Sequence, residues 1–334
     1  MRVFLTGGTG FLGGRIIDHL LRAGHQVVAL ARRPEALERR EGLLPLRGDL
    51  LDRASLERGL ADVDAVIHVA ALVKRWVKDR SLFDKVNVEA QATLIDLALG
   101  RGLEKVLVCS SFVALGPTDR TTGDEDSLHD GRPRNDYERT KLLADRQLRQ
   151  RMEKGAPLVA LYPGVVYGPG RMTDGNILAA AGRDLLRGRL PGTIGPGDRR
   201  QCLAFVEDVA AGFLLALDKA EPGSRYVLGG ENLTVRQALE LMARAGGVEV
   251  PRRVIPYSVA GWLGRILCWQ AGWTGIEPPL SPGEVEIYRH EWAYSSERAR
   301  RELGYTITPA AEGLARMMRW LEERDRSPAA NSPG

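Results

Sequence analysis

"TGGTGFLGG", residues 6–14, separates a short apolar run, "RVFLT" (2–6), from the first amphipathic stretch, and its reading decides the fold. Gly8, Gly10 and Gly13 fit G-x-G-x-x-G, while Gly7, Gly10 and Gly13 also fit G-x-x-G-x-x-G. Between a strand and a helix, such glycines allow a tight turn, close backbone approach to a pyrophosphate, and close packing of helix on strand. The helix N-terminus then offers amide donors and a positive dipole end to the phosphates. A glycine-rich loop alone is weak evidence, but here strand, loop and helix come in the required order. Residues Thr6, Gly7, Gly10, Phe11, Leu12 and Gly13 are therefore read as a dinucleotide cradle.

Working outward, "QVVAL" (26–30), "LLPLR" (43–47), "AVIHVA" (65–70), "KVLVCS" (105–110) and "PLVALY" (157–162) read as further buried strands. Helical patterns at 11–23, 53–61, 80–100 and 135–154 lie between them. This alternation predicts an α/β fold, a Rossmann-type doubly wound parallel sheet. After residue 163 the texture turns to Gly/Pro-rich loops, with helices near 174–187, 207–219, 234–246 and 308–325 and one clear strand, "SRYVLGG". That part reads as a smaller mixed α/β substrate-binding lobe over the strand ends, where ligands of open α/β sheets bind. The expected division is 1–165 for the cofactor domain and 166–326 for the interleaved lobe. The polar, Pro-containing end, 327–334, reads as a disordered tail.

Composition narrows the function classes. The chain has 334 residues, 44% of them apolar, and a net charge of only +4 with its arginines scattered among acids, so no clustered phosphate footprint for nucleic acid is present. Cys109, Cys202 and Cys268 are far apart and odd in number, which fits neither a disulfide framework nor a metal site and suits a cytoplasmic setting. No apolar run reaches the length of a membrane span, about 18 residues. "VAGWLGRILCWQAGW" (259–273) comes nearest and could touch a membrane surface, but Arg265 and Gln270 interrupt it, so a half-buried helix or a lid over an apolar ligand is expected first.

The end of the second strand selects the cofactor. An NAD site places Asp or Glu there for the ribose hydroxyls, but this chain has Ala31 and then Arg32 and Arg33. Arginines grip a phosphate bidentately, so the expectation is NADP(H), with NAD as the alternative. Asp49 and Leu50 would flank the adenine, and Val69, Ala70 and Ala71 would bring backbone against the cofactor. Further on, "NDYERTK" (135–141) places Tyr137 and Lys141 one helical turn apart, an arrangement equally compatible with a solvated face and with an acid catalyst beside its charge partner.

Taken together, "TGGTGFLG", "GDL" (48–50), "HVAA" (68–71), "NVEAQATL" from 87, "CSSFVALG" from 109, "YERTK" from 137, "PGVVYGPG" from 163, "FVEDVA" from 205 and "GGENLT" from 229 resemble the extended short-chain dehydrogenase/reductase superfamily over nearly the whole chain. The loop with Tyr162 and Val165, where sugar-nucleotide members commonly carry Arg and Asn, looks most like the dihydroflavonol-reductase and 3β-hydroxysteroid-dehydrogenase branch. The resemblance implies a catalytic set of Ser111, Tyr137 and Lys141, with Asn87 supporting the proton relay. The family serine stands five residues before the closing glycine, Gly116, which selects Ser111 over Ser110. Tyr137 and Lys141 would also touch the cofactor, and Pro163, Val165 and Val166 would border the nicotinamide. A nearby Lys cation and the charged nicotinamide ring are expected to lower the phenol pKa, Glu138 and Arg139 to face solvent or a partner helix, and the helices at 80–100 and 135–154 to form a homodimer.

The implied activity is NADP(H)-dependent hydride transfer between nicotinamide and a ketone or secondary alcohol on a small, fairly apolar molecule. Trp262, Trp269 and Trp273 would cover that substrate or pack in the core. The alternatives are a nucleotide-sugar epimerase or dehydratase with retained NAD, for which Arg171, Arg199 and Arg200 would hold a diphosphate, and a non-catalytic dinucleotide sensor.

Overall fold

The computed structural model describes residues 1–119 and 121–326; Arg120 and the expected tail at 327–334 lie outside the described residues. Strands and helices alternate through the first half: β1 (Arg2–Thr6), α1 (Phe11–Arg22), β2 (Gln26–Ala31), β3 (Leu43–Arg47), α2 (Arg53–Gly59), β4 (Ala65–His68), α3 (Ser81–Asp84), α4 (Ala90–Gly100), β5 (Val106–Cys109), α5 (Asp136–Glu153) and β6 (Leu158–Pro163). After β7 (Val165–Tyr167), α6 (Ile177–Leu186), β8 (Thr193–Ile194), β9 (Arg200–Phe205) and α7 (Val206–Lys219), the chain returns to the main sheet with β10 (Arg225–Leu228). The resulting seven-stranded sheet has the order β10-β6-β5-β4-β1-β2-β3, every pair parallel. Strand order reverses at β1 and β4, the switch point beside which open α/β sheets bind ligands.

Local sequence explains these positions. The central strands are apolar along their whole length because both faces are covered, as in β2, where every residue after Gln26 is buried. By contrast, β3 lies at the sheet edge and exposes Leu44 and Pro45; an edge tolerates a proline that cannot complete a ladder. One face of the sheet packs Leu5, Ile16, Ile17 and Leu20 against Phe213 and Leu217. The other packs Phe4 and Tyr162 with Leu56, Leu94 and Leu148.

The remaining elements are β11 (Asn232–Thr234), α8 (Val235–Ala245), β12 (Val254–Ile255), α9 (Tyr257–Thr274), α10 (Pro282–Ile287), α11 (Glu297–Leu303) and α12 (Ala310–Arg326). Sequence reading expected one strand after residue 163; the structure has six, because β7, β8, β11 and β12 are only two or three residues long and β9 opens on Arg and Gln. The stretch read as one helix over 80–100 is interrupted by a π-helical turn, Lys85–Glu89, around Asn87. Such turns are rare and recur at functional sites.

Candidate active site

The glycine loop leaves no room for side chains. Gly7 has φ +82°, and a Cβ there would lie 2.7 Å from the Ala70 amide nitrogen; one at Gly13 would lie 2.1 Å from the Gly7 carbonyl oxygen. The Gly10 amide donates to that same carbonyl at 2.9 Å. No side chain caps α1, so its first amides are left to a ligand. Among the residues expected here, Thr6 holds the cradle from behind: its hydroxyl accepts from the Ala70 amide at 3.3 Å and lies 2.8 Å from His68 Nδ1. Sequence reading missed His68. It is buried at the end of β4, and burial, aided by the Lys141 charge, pushes its pKa down to about 3, so the ring is neutral.

Arg32 and Arg33 are exposed beyond β2, and neither guanidinium has an ion-pair or hydrogen-bond partner among the described residues. Asp49 and Leu50 are half-buried past β3, and the Asp49 carboxylate turns back to accept from the Leu51 amide at 2.9 Å. Arg171, read as a substrate arginine, is instead a strap on the cofactor side: it donates to the Thr9 carbonyl at 3.0 Å and to the Ala36 carbonyl. Arg200 is likewise engaged, by Glu291 at 2.7 Å and the Thr121 carbonyl at 3.1 Å. Arg199 lies 3.8 Å from Asp198.

Three of the four expected catalytic residues meet at the C-terminal end of β5. Asn135 caps α5 by accepting from the Glu138 amide at 2.8 Å, which fixes the helix start. Tyr137, Lys141 and Asp145 then follow at successive i,i+4 positions on one face. The Ser111 hydroxyl lies close enough to the Tyr137 phenol to pull its pKa down, and it accepts from the Val113 amide at 3.4 Å. Ser110, the discarded neighbour, points elsewhere and donates to the buried Asp145 carboxylate at 3.1 Å. Lys141 is buried and donates to the Cys109 carbonyl at 2.9 Å; burial lowers its pKa, against the pull of Cys109 and Asp145.

Tyr137 keeps partial exposure, yet protein atoms crowd its hydroxyl. Burial therefore pushes the phenol above its ordinary value, the Cys109 thiol adds to the rise, and the Ser111 hydroxyl opposes it. The expectation that Lys141 brings the phenol down is not met by the protein's own groups, because desolvation outweighs the favourable contacts. Asn87 stands apart from the trio: its amide accepts from the Leu72 amide at 2.7 Å and donates to Thr140 at 3.0 Å, joining the loop after β4 to the turn of α5 that carries Tyr137.

Around this trio, Val69, Ala70 and Ala71 are half-buried after β4, Pro163 is buried at the end of β6, and Val165 and Val166 are half-buried on β7. Two expectations fail. Glu138 is not on the surface but completely buried, bound to His129 and Arg134, whereas Arg139 keeps 34% exposure and pairs bidentately with Asp84 of α3 at 2.7 Å. Trp262, Trp269 and Trp273 cover neither the site nor the core; they are 64, 68 and 80% exposed. Among the described residues no group of His, Cys, Asp or Glu is arranged to hold a metal, and no helix is long and apolar enough to cross a membrane.

Comparison with known proteins agrees with this architecture. Sterol demethylase protein B of Methylococcus capsulatus is 29% identical, over 97% of this chain and 99% of its own. The 3-beta-hydroxysteroid dehydrogenase of Mycolicibacterium neoaurum is 27% identical, over 91% of this chain and 86% of its own. The crystal structure of gox2253 superposes with a TM-score of 0.81 at 28% identity, covering 97% and 99% of the two chains. The model of the NAD dependent epimerase/dehydratase family matches residues 3–229. On that match the chain belongs to the NAD dependent epimerase/dehydratase family, within the extended short-chain dehydrogenase/reductases, and is an NAD(P)-dependent enzyme.

Proposed function

We propose that the enzyme is an NADP(H)-dependent oxidoreductase that interconverts a ketone and a secondary alcohol, with Tyr137 as general acid and base. The observation that carries this reading is the convergence of Ser111, Tyr137 and Lys141 at the end of β5, where the Lys141 ammonium donates to the Cys109 carbonyl at 2.9 Å. The bound nicotinamide supplies or accepts the hydride at the carbonyl carbon. Ser111 holds the substrate oxygen by a hydrogen bond, and Tyr137 passes its phenolic proton to that oxygen during reduction. The Lys141 ammonium, fixed on the Cys109 carbonyl, favours the phenolate left behind. Asn87 acts as a positioning residue through Thr140.

In this reading the cradle residues Thr6, Gly7, Gly10, Phe11, Leu12 and Gly13 hold the pyrophosphate, Val69, Ala70 and Ala71 line it, Asp49 and Leu50 flank the adenine, and Pro163, Val165 and Val166 wall the nicotinamide. The preference for NADP(H) rests on the two unpartnered guanidiniums of Arg32 and Arg33, with no carboxylate at the end of β2. Replacing both by Ala is expected to raise the KM for NADPH roughly tenfold to a hundredfold, the worth of charge-assisted hydrogen bonds to one phosphate, and to leave the KM for NADH unchanged. An unaltered NADPH/NADH ratio would remove these residues from the phosphate site.

The substrate is proposed to be apolar. The names of the two relatives compared above point to sterols, and two of the three arginines considered for a sugar diphosphate, Arg171 and Arg200, are already engaged. The test is cofactor analysis of the purified protein, followed by paired NADPH and NADH turnover on aromatic and steroid ketones. Tightly held NAD without net turnover would establish the epimerase reading instead. The free thiols Cys109, Cys202 and Cys268 suit a reducing cytoplasm, and the outer faces of α4 and α5, where Leu143 is exposed, suit a homodimer.

A further inference from the structure

Helix α9 is built inside out. Its buried residues are the small ones, Ala260, Gly264 and Ala271. Gly264 lets α10 approach so closely that a Cβ there would sit 3.0 Å from the Pro282 nitrogen. The large apolar residues Val259, Trp262, Leu263, Trp269 and Trp273 are all exposed, as is Ile276 just beyond the helix. At 3.6 residues per turn, Val259, Trp262, Leu263, Trp269 and Trp273 fall within a stripe about 120° wide. The Trp269 and Trp273 rings touch edge to face, 6.2 Å apart. Single exposed apolar residues are ordinary; a contiguous stripe with three tryptophans marks an interaction surface.

Charge identifies the partner. From residue 250 to residue 276 there is no Asp or Glu, and the only charged residues are Arg252, Arg253 and Arg265. All three are exposed, and their guanidiniums have no partner among the described residues. Many arginines elsewhere on this chain are paired with an acid, as Arg53 is with Glu57 and Arg80 with Asp136, and here no acid lies within the segment to do so. Tryptophans settle at the headgroup level of a bilayer, and an amphipathic helix with unneutralised cations lies flat on anionic lipid.

We propose that α9 is a membrane-docking surface, which seats the enzyme on an anionic lipid bilayer with Trp262, Trp269 and Trp273 among the headgroups and Arg252, Arg253 and Arg265 against lipid phosphates. Docking there sets the bilayer beside the active site. Helix α10 packs beneath α9, and its Gly283 abuts Asn135, the cap residue two positions before Tyr137, with a would-be Cβ only 2.7 Å from the Asn135 side chain. An apolar substrate would thus reach Tyr137 without crossing much water. Docking itself does not rest on the reductase reading.

The test uses the full chain and extruded vesicles of either pure phosphatidylcholine or equal parts phosphatidylcholine and phosphatidylglycerol. The wild type is expected to co-sediment with the anionic vesicles, with a blue shift of tryptophan emission and partial release by salt. Trp262→Ser/Trp269→Ser/Trp273→Ser is expected to lower partitioning at least about tenfold. Arg252→Gln/Arg253→Gln is expected to lower it roughly tenfold or more on anionic vesicles only. Circular dichroism and dinucleotide binding check that both variants fold, as their exposed positions predict. Absence of wild-type binding, or binding that both variants retain, would overturn the proposal. So would an oligomer that the tryptophan substitutions dissociate, which would assign the stripe to a second copy of the chain.

Discussion

Tyr137→Phe is expected to lower turnover about a hundredfold to ten-thousandfold, the range a positioned acid or base contributes. The KM for NADPH should stay unchanged, because a proton donated only in the transition state contributes nothing to ground-state binding. The substitution removes one oxygen and leaves the ring, so the packing of Tyr137 against the core on this face of the sheet survives. Burial holds the phenol above its ordinary value, so Tyr137 carries its proton throughout the neutral range. Reduction, which uses that proton, is therefore expected to run at a rate nearly independent of pH there. Oxidation needs the phenolate and is expected to climb toward alkaline pH, and this climb should vanish in Tyr137→Phe. Ser111→Ala should weaken turnover while keeping the alkaline climb, since it loses the substrate hydrogen bond and spares the base. A Tyr137→Phe enzyme with wild-type turnover would defeat the assignment.

The parts of this molecule that were legible in its sequence are those with short-range causes. The cradle could be read because no residue but glycine fits at Gly7 and Gly13, and the central strands because burial on both faces demands continuous apolar runs. Ser111 was preferred to Ser110 on the family's spacing to Gly116, and the two hydroxyls do differ in place: that of Ser110 donates to Asp145, while that of Ser111 lies near Tyr137. What escaped depended on residues distant in sequence. Arg171 looked like a substrate ligand until the fold placed it against Thr9 and Ala36, more than a hundred residues earlier. The tryptophans of α9 were expected over the substrate or in the core, because large apolar residues are usually covered. Nothing local showed that Ala260, Gly264 and Ala271 would take the buried face instead. His68 was passed over as one letter in "HVAA", although its buried ring braces Thr6.

Glu138 is the most instructive of these misreadings, because a carboxylate on a charged helix reads as solvated and this one has no exposed surface. Its Oε1 meets His129 Nε2 at 2.9 Å and Arg134 Nη1 at 2.8 Å, and its Oε2 accepts from the Arg134 amide at 2.8 Å. Glu138→Ala would strand the His129 ring and the Arg134 amide and leave the Arg134 guanidinium with Asp130 alone, in a site where the His129 and Arg134 side chains are only 2 and 8% exposed. Breaking a buried pair from one side costs about 3–5 kcal/mol, which for a chain of this size lowers Tm by roughly 4–7 °C. Glu57→Ala removes an exposed i,i+4 partner of Arg53 and is expected to cost at most about 0.5 kcal/mol; the two variants compared by thermal melting isolate burial as the cause. Function should suffer along with stability. Arg134 and Glu138 flank Tyr137, and the Gly116 position, where a Cβ would meet the His129 backbone at 2.8 Å, ties the loop after Ser111 to the same cluster. The surviving folded fraction of Glu138→Ala is thus expected to show reduced kcat with an unchanged KM for NADPH, since the cradle at the other end of the site is untouched. If its Tm fell no further than that of Glu57→Ala, the buried cluster would be incidental to the fold, and its hold on the Tyr137 turn would go with it.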